Sequence, residues 1–292
     1  MKKILSIILV LTMIASLFVN TGVVFATDAN YVARVGDVYF EDLMEAWAYA
    51  LETGGDLVML SDVDLNDTLV NPGDTGLSGE GTEESPYLIN NLDDLKWFRD
   101  DVNAGNNYKG KFVKLTADID LYEEDAEGNQ ISWTPIGDMD VDKITFHGTF
   151  DGDNHTISNL YIYAADTGLA FFGRTGSFDE GTKAVVKNII FNNVDVSSTI
   201  TTGHGGSYVG GVIANSSANT TVSNVHLKGY IYVAGYGYVG GIVAHGYPKI
   251  DNCSVIAEDS SYIHCYYWCA GGIVGYGGEG STTIKKCKSF RN

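Results

Sequence analysis

The chain has 292 residues, a formal net charge of −19 and 45% hydrophobic residues, enough apolar content for a sizeable packed core. So acidic a balance repels nucleic acid and anionic membrane, so neither is an expected partner. It also keeps an extended molecule soluble and apart from its copies.

Residues 1–26 have the layout of a signal peptide. Lys2 and Lys3 open it, an apolar run follows from Ile4 to Val19, and Val24-Phe25-Ala26 offers the small residues of a cleavage site. A retained anchor is the alternative reading, because the apolar run approaches the length of a membrane span. Residues 27–65 read as a helix–strand unit. Leu43, Ala46, Trp47, Ala50 and Leu51 fall on one helical face, Gly54-Gly55 stops the helix, and DLVMLSDVDL (56–65) follows as a strand. Residues 66–86, rich in Asp, Gly, Thr and Glu, read as a linker or surface loop.

Residues 87–143 repeat the helix–strand design. Asn91 is the expected N-cap, Leu92, Leu95, Phe98 and Val102 line one face, and Gly105 ends the helix. KFVKLTADIDL (111–121) is the strand that follows. From 144 to 292 two short cassettes alternate. One reads YVGGVIANS (208–216), YVGGIVAHG (238–246) and CAGGIVGYG (269–277), with a weaker copy, GLAFFGRTG, at 168–176. The other reads ISNLYI (157–162), VKNIIF (186–191), VSNVHL (222–227), IDNCSV (250–255) and IKKCKS (284–289). A unit of roughly thirty residues cannot bury its own apolar face and must stack on its neighbours.

The expected fold is therefore mainly β, a right-handed parallel β-helix with N-terminal amphipathic capping helices covering the exposed first rung. Ile157, Leu160 and Ile162 are expected to match Val186, Ile189 and Phe191. Asn159, Asn188, Asn224 and Asn252 are expected at one corner, with their amides bonded rung to rung. The pairs Gly210-Gly211, Gly240-Gly241 and Gly271-Gly272 are expected at a corner where a Cβ would crowd the turn.

These cassettes, together with GEGTEESPYLINNLDDLKWFRDDVNAG (79–105), KLTADIDL (114–121), WTPIG (133–137) and GTFDGDNHTISNLYI (148–162), resemble the GLUG-motif surface proteins of bacteria over residues 79–292. The resemblance implies a parallel β-helix in an exported, surface-attached protein with adhesive or scaffolding use, and no defined catalytic residues. Some such repeats accompany proteases, but HExxH is absent here. The last cassette stops before its glycine partner. Truncation of the repeats at the C-terminus is expected, with any cell-wall attachment supplied by a region beyond it.

The candidate chemistry is sparse. Gly203-His204-Gly205 matches one short motif of β-helix polygalacturonases. The triplets and paired aspartates that accompany it there have no suitable counterpart, so His204 reads as a loop residue. Asp138, Asp140 and Asp142 have calcium-ligand spacing, as does Asp151-Gly152-Asp153-Asn154, which also reads as a hairpin-like turn; neither completes an EF-hand. No cofactor is expected, with calcium left open. Cys253 and Cys287 hold the same cassette position and are candidates for a disulfide, or for small buried hydrophobes. Cys265, Cys269 and His264 give a weak zinc pattern, and a structural disulfide is the other reading of the two cysteines.

Aromatics crowd the repeats, among them Tyr208, Tyr230 and Tyr262. Tyr232, Tyr236, Tyr238, Tyr266, Tyr267 and Trp268 are the candidate ligand-binding residues, because sugars stack on exposed rings. Cross-rung pairing that stabilises a sheet face is the other reading. The leading expectation is a monomeric, non-catalytic, secreted or cell-surface rod, adhesin-like or a scaffold, that binds glycan or protein through its solenoid surface. The alternative is a β-helix polysaccharide lyase or hydrolase, which would need acidic side chains and a lysine converging in a groove.

Overall fold

A computed structural model describes residues 33–35, 38–40, 46, 49–50, 53–54, 57–59, 76–139, 144–177, 183–200, 207–278 and 282–291. The chain divides into two compact units, Met1–Asn71 and Pro72–Asn292. In the first, β1 (Ala33–Val35) pairs antiparallel with β2 (Val38–Phe40) and with β3 (Leu57–Met59). The leader at 1–26 lies outside the described residues, as does most of the helix expected over 43–51. Within that stretch Ala46 is helical and buried, and the Gly54 amide donates to the Ala50 carbonyl at 2.8 Å.

The second unit is a mainly β, parallel solenoid of about five turns. It opens with β4 (Tyr87–Ile89), α1 (Leu92–Asn103), β5 (Phe112–Leu115) and β6 (Ile119–Asp120). One turn is β7 (Thr149–Asp151), β8 (Thr156–Ala164), β9 (Gly168–Leu169) and β10 (Phe172–Thr175). The next is β11 (Ala184–Ser198), β12 (Tyr208–Gly210) and β13 (Ile213–Ser216), and then β14 (Thr220–Gly235), β15 (Tyr238–Gly240) and β16 (Val243–Gly246). The last runs through β17 (Lys249–Asp251), β18 (Ser254–Ala257), β19 (Tyr262–Cys265), β20 (Cys269–Gly271) and β21 (Val274–Gly277), and β22 (Thr283–Lys285) and β23 (Lys288–Arg291) stack below it. Three walls result. The main wall stacks β4, β5, β7, β11, β14, β17 and β22 in that order; the others stack β9-β12-β15-β20 and β10-β13-β16-β21.

Strand periodicity sets the core. Alternate residues face opposite sides of a strand, so Phe150, Val186, Val222 and Ile250 meet in one inward column and all are buried. The next member, Ile284, is 48% exposed, because no described rung lies beyond it.

The asparagine register differs from the expectation. Ile157, Leu160 and Ile162 lie against Phe191, Val194 and Val196, not against Val186, Ile189 and Phe191. Long strand β11 carries two corners, Asn188 and Asn193, with φ of 54° and 60°. Phe191 belongs to both, three residues after the first and two before the second. An Ile-x-Asn pattern fits either corner equally well, and ISNLYI belongs to the second. Two asparagine columns exist as a result. In one, Asn188 Nδ2 donates to Asp151 (3.0 Å), Asn224 to Asn188 (2.8 Å) and Asn252 to Asn224 (2.7 Å). In the other, Asn159 donates to Asp120 (2.8 Å) and Asn193 to Asn159 (3.2 Å), while Asn193 accepts from the Tyr230 amide (3.1 Å). Every one of these asparagines sits in the left-handed region, which Asn tolerates better than other non-glycine residues.

The weak cassette copy also slips by one. Gly168 pairs with Tyr208, but Phe172 pairs with Ile213. Phe171 fills that corner instead of a second glycine, stacked on Trp133 at 5.5 Å.

Among the described residues one short helix, α1, has its bounds. Asn91 caps it by accepting from the Asp94 amide at 2.9 Å. Its buried residues are Leu95, Phe98 and Val102. Phe98 meets Tyr108 (5.0 Å) and Phe146 (5.6 Å) edge-on. Leu77, in the stretch before β4, is buried as well, and the Leu88 amide donates to the Ser78 carbonyl.

The Cys253–Cys287 bridge is not formed, and all four cysteines are free. Their strand neighbours Ser254 and Lys288 are in register, so the two thiols belong to one column. In-register residues of stacked strands lie about 4.8 Å apart, inside the Cα range a disulfide allows, and the two thiols are free in this structure. The Cys253 thiol turns to the Asp251 carbonyl (3.3 Å) and that of Cys287 to the Lys285 carbonyl (3.1 Å). Burial pushes the Cys253 thiol up to about 12, so it stays protonated at neutral pH.

Two stability outcomes are expected. In urea denaturation Asn224→Ala loses about 1–3 kcal/mol, since it drops two amide links and keeps an unfavourable backbone. Asn224→Gly loses less; equal losses would show that backbone strain at the corner is immaterial. Phe98→Ala removes the ring that joins α1 to the first turns and costs about 3–5 kcal/mol, read from the same unfolding curves.

Candidate functional site: an aromatic ridge

The glycine cassette builds a surface as well as a corner. A Cβ on Gly210, Gly240 or Gly271 would strike the carbonyl of Ile213, Val243 or Val274 in its own turn. A Cβ on Gly211 or Gly241 would strike the Gly241 or Gly272 carbonyl of the next rung. The glycines therefore allow both a tight bend and close rung stacking. On either side of that bend the register repeats a surface position. Tyr208 pairs with Tyr238 before it, and Asn215, His245 and Tyr276 align after it.

The rings at these positions touch. His245 stacks on Tyr208 (4.6 Å, 20°) and on Tyr276 (5.3 Å, 8°). Tyr238 lies 5.0 Å from His245 and 4.7 Å from Trp268. Trp268 lies 6.0 Å from Tyr267, which stacks on Tyr236 at 5.1 Å and 3°. The result is a continuous ridge that crosses three turns, with Tyr267, Trp268 and Tyr276 exposed. The structure thus brings Tyr236, Tyr238, Tyr267 and Trp268 together. It places Tyr232 and Tyr266 in an adjoining patch, where the Tyr266 phenol acts on that of Tyr232.

Sequence reasoning missed His245 and Tyr276. Their column reads Arg174, Asn215, His245, Tyr276, so no repeated residue type marks it. His245 Nδ1 is buried without a partner, and burial pushes the imidazole below its ordinary 6.5.

The other candidates sit apart from the ridge. The Asp138 amide donates to the Ile144 carbonyl at 2.7 Å; Asp140, Asp142 and His204 lie outside the described residues. The Asp151–Asn154 segment is a corner between stacked strands β7 and β8, not a hairpin, since each pairs with β11. There Asp151 pairs with Lys187 (3.0 Å) and Asp153 with Lys114 (2.9 Å). Burial pushes the Asp151 carboxyl up, but donors from Asp153, Asn188 and Lys187 hold it below its ordinary value. The Cys265 thiol turns onto the Gly237 carbonyl at 2.8 Å, and Cys269 is exposed. Among the described residues no cluster of three His, Cys, Asp or Glu side chains is placed to hold a metal. A cavity of about 270 Å³ opens at the last turn, lined by Val255, Tyr262, Ile263 and Phe290 among others; no acidic or basic side chain lines it.

No family model matches the chain. Over 191 residues it is 36% identical to halomucin of Haloquadratum walsbyi, a match that covers 64% of this chain and 2% of halomucin. The chain therefore spans about 2% of that relative's length. The crystal structure of a candidate immunoglobulin A1 protease from Bacteroides ovatus is similar at a TM-score of 0.40 and 18% identity, over 72% of this chain and 77% of that one. Among the described residues no helix is long and apolar enough to cross a membrane.

A pH dependence follows from His245. Its folded-state value is lowered, so the unfolded chain takes the proton first, and stability falls as pH drops below about 6.5. Thermal midpoints measured from about pH 8 to about pH 5 are expected to fall less in His245→Phe, which keeps a ring in the stack. Identical slopes in parent and variant would refute the assignment.

Proposed function

We propose that the chain is a non-catalytic, secreted or cell-surface solenoid, and that it holds a glycan along the aromatic ridge. The observation that carries this is the unbroken run of rings from Tyr236 to Tyr276 across three turns. Sugars present apolar C–H faces and polar edges, and tyrosine and tryptophan present an apolar face with a polar tip. A rigid row of such rings costs little ordering entropy on binding. The similarity to halomucin and the resemblance of the cassettes to GLUG-motif proteins support a surface-associated role. The leader-like residues 1–26 support export. In this reading α1 caps the first rung, with Phe98 as its plug, and the excess of acid keeps rods apart.

A glycan array probed with the full chain is expected to show binding that Trp268→Ala weakens by about tenfold or more, the factor that ~1.4 kcal/mol represents. Circular dichroism should be unchanged, because Trp268 is on the surface. Binding that ignores Trp268→Ala and Tyr267→Ala, or turnover of the bound polysaccharide, would overturn the proposal.

A further inference from the structure

On the outward face of the main wall, register places Tyr161 of β8, Asp195 of β11, Tyr232 of β14 and Tyr262 of β19 in one column. In-register neighbours lie about 4.8 Å apart, so the Asp195 carboxylate stands between the rings of Tyr161 and Tyr232. Tyr230, on the same face, adds a third ring. Burial first, and then the Asp195 charge, push the Tyr230 phenol up. Burial, the Tyr266 hydrogen bond and charge, and the Asp195 charge do the same for Tyr232.

The earlier aspartates of this wall all have donors. Asp118 is met by the Thr156 amide, Asp120 by Asn159, Asp151 by Lys187 and Asp153 by Lys114. Asp195 has neither a hydrogen bond nor an ion pair among the described residues, and burial alone raises its carboxyl. A half-buried carboxylate without a partner costs stability. The stacking does not require it, because Asn or Ser would fit the same column. What the place offers is an uncompensated negative charge flanked in register by tyrosine side chains, in a chain of net charge −19. Such a place favours a cation over a neutral ligand. It is continuous with the aromatic ridge through consecutive Tyr266 and Tyr267, so a chain of sugars on the ridge can reach it.

The geometry points to a subsite for an amino sugar with a free ammonium group, formed by Asp195 with Tyr161, Tyr230 and Tyr232. The ammonium sits on the carboxylate and the sugar's apolar face on a phenol ring. This rests on the glycan-binding reading above and deepens it by naming the sugar class.

Calorimetric titration of the full chain at about 150 mM salt, where long-range attraction is screened, tests it with four probes. They are a glucosamine trisaccharide, its N-acetylated counterpart, a neutral glucose trisaccharide and a lysine tripeptide. The amino trisaccharide is expected to bind at least tenfold more tightly than the other three. Asp195→Asn should erase that preference, while Glu127→Gln, which removes an equal charge from an exposed turn, keeps it. Asp195→Asn should also melt at a higher temperature than the parent at neutral pH. The folded carboxyl is raised, so its ionised form burdens the fold at neutral pH. That burden vanishes as pH falls to the ordinary 3.8. The titratable groups facing it are Tyr161 from β8 and Tyr230 and Tyr232 from β14, and burial and the Asp195 charge push the last two phenols up, away from that range.

Equal affinity for the amino and N-acetyl trisaccharides overturns the inference, as does a preference that survives Asp195→Asn. Binding of the lysine tripeptide as tight as that of the amino sugar overturns it in favour of a protein partner. If neutral sugar binds through Trp268 with no amine preference, the glycan reading stands and only this inference falls. If no sugar binds, both fall.

Discussion

Hydrogen bonding between one turn and the next governs this structure. A solenoid strand finds backbone partners one rung above and one rung below, never on its own turn. Each side chain therefore has its neighbours chosen by whatever holds the same place about 4.8 Å away. Apolar inward positions can stack as Phe150, Val186, Val222 and Ile250 do. Charged outward positions cannot repeat. The column Lys114, Asp151, Lys187 alternates in sign, and after Ser223 it alternates again as Asp251, Lys285. Two lysines in succession would repel at that distance. Asparagine is the polar residue that can repeat, because its amide donates in one direction and accepts in the other. It also takes the left-handed backbone the corner needs, so one residue type answers two demands.

The same constraint explains why the two ends of the unit use different cores. Between β6 and β7 the chain makes a long excursion, and that segment meets β10 through isolated bridges at Ile136 and Phe146, not through a full strand. Irregular spacing leaves more volume to fill. Phe98, Tyr108, Phe146, Phe150, Phe171 and Phe172 fill it in mutual edge and tilted contacts. Once the walls become regular, beyond Phe191 of β11, the inward residues shrink to Val, Ile and Leu with a few smaller ones such as Ala244 and Cys253.

Much of this was legible in the residues, and the gaps have physical causes. The glycine cassettes announce themselves because close carbonyls forbid a side chain at the corner of the full copies, so glycine recurs at 210, 240 and 271. Helix α1 shows its cap and its apolar face for similar reasons. The asparagine columns were half legible. That a corner recurs could be read, but which of two corners Asn159 occupies could not, because Phe191 completes both patterns. The ridge was partly legible through its tyrosines. His245 and Tyr276 escaped because their column changes residue type at each turn, and ring contact comes from register, not from repetition. The cysteine pair was legible as one column, because register repeats the cassette position, and the two thiols are free in this structure.

A rule that rewards matched neighbours makes mismatches informative. Along the outer wall, Asp120, Asp151 and Asp153 each have a donor within hydrogen-bond reach, supplied by the neighbouring turn or by the turn's own strand. Asp195 stands in a column of tyrosines that supply none. Local choices in a stable fold normally agree with one another, and natural chains break that agreement chiefly where something other than stability is at stake. A solenoid sharpens the point, since replacing one outward residue in a regular wall disturbs no loop and no core. An unpartnered carboxylate kept at such a replaceable position, beside a row of exposed rings, is therefore better explained by a ligand than by the architecture around it.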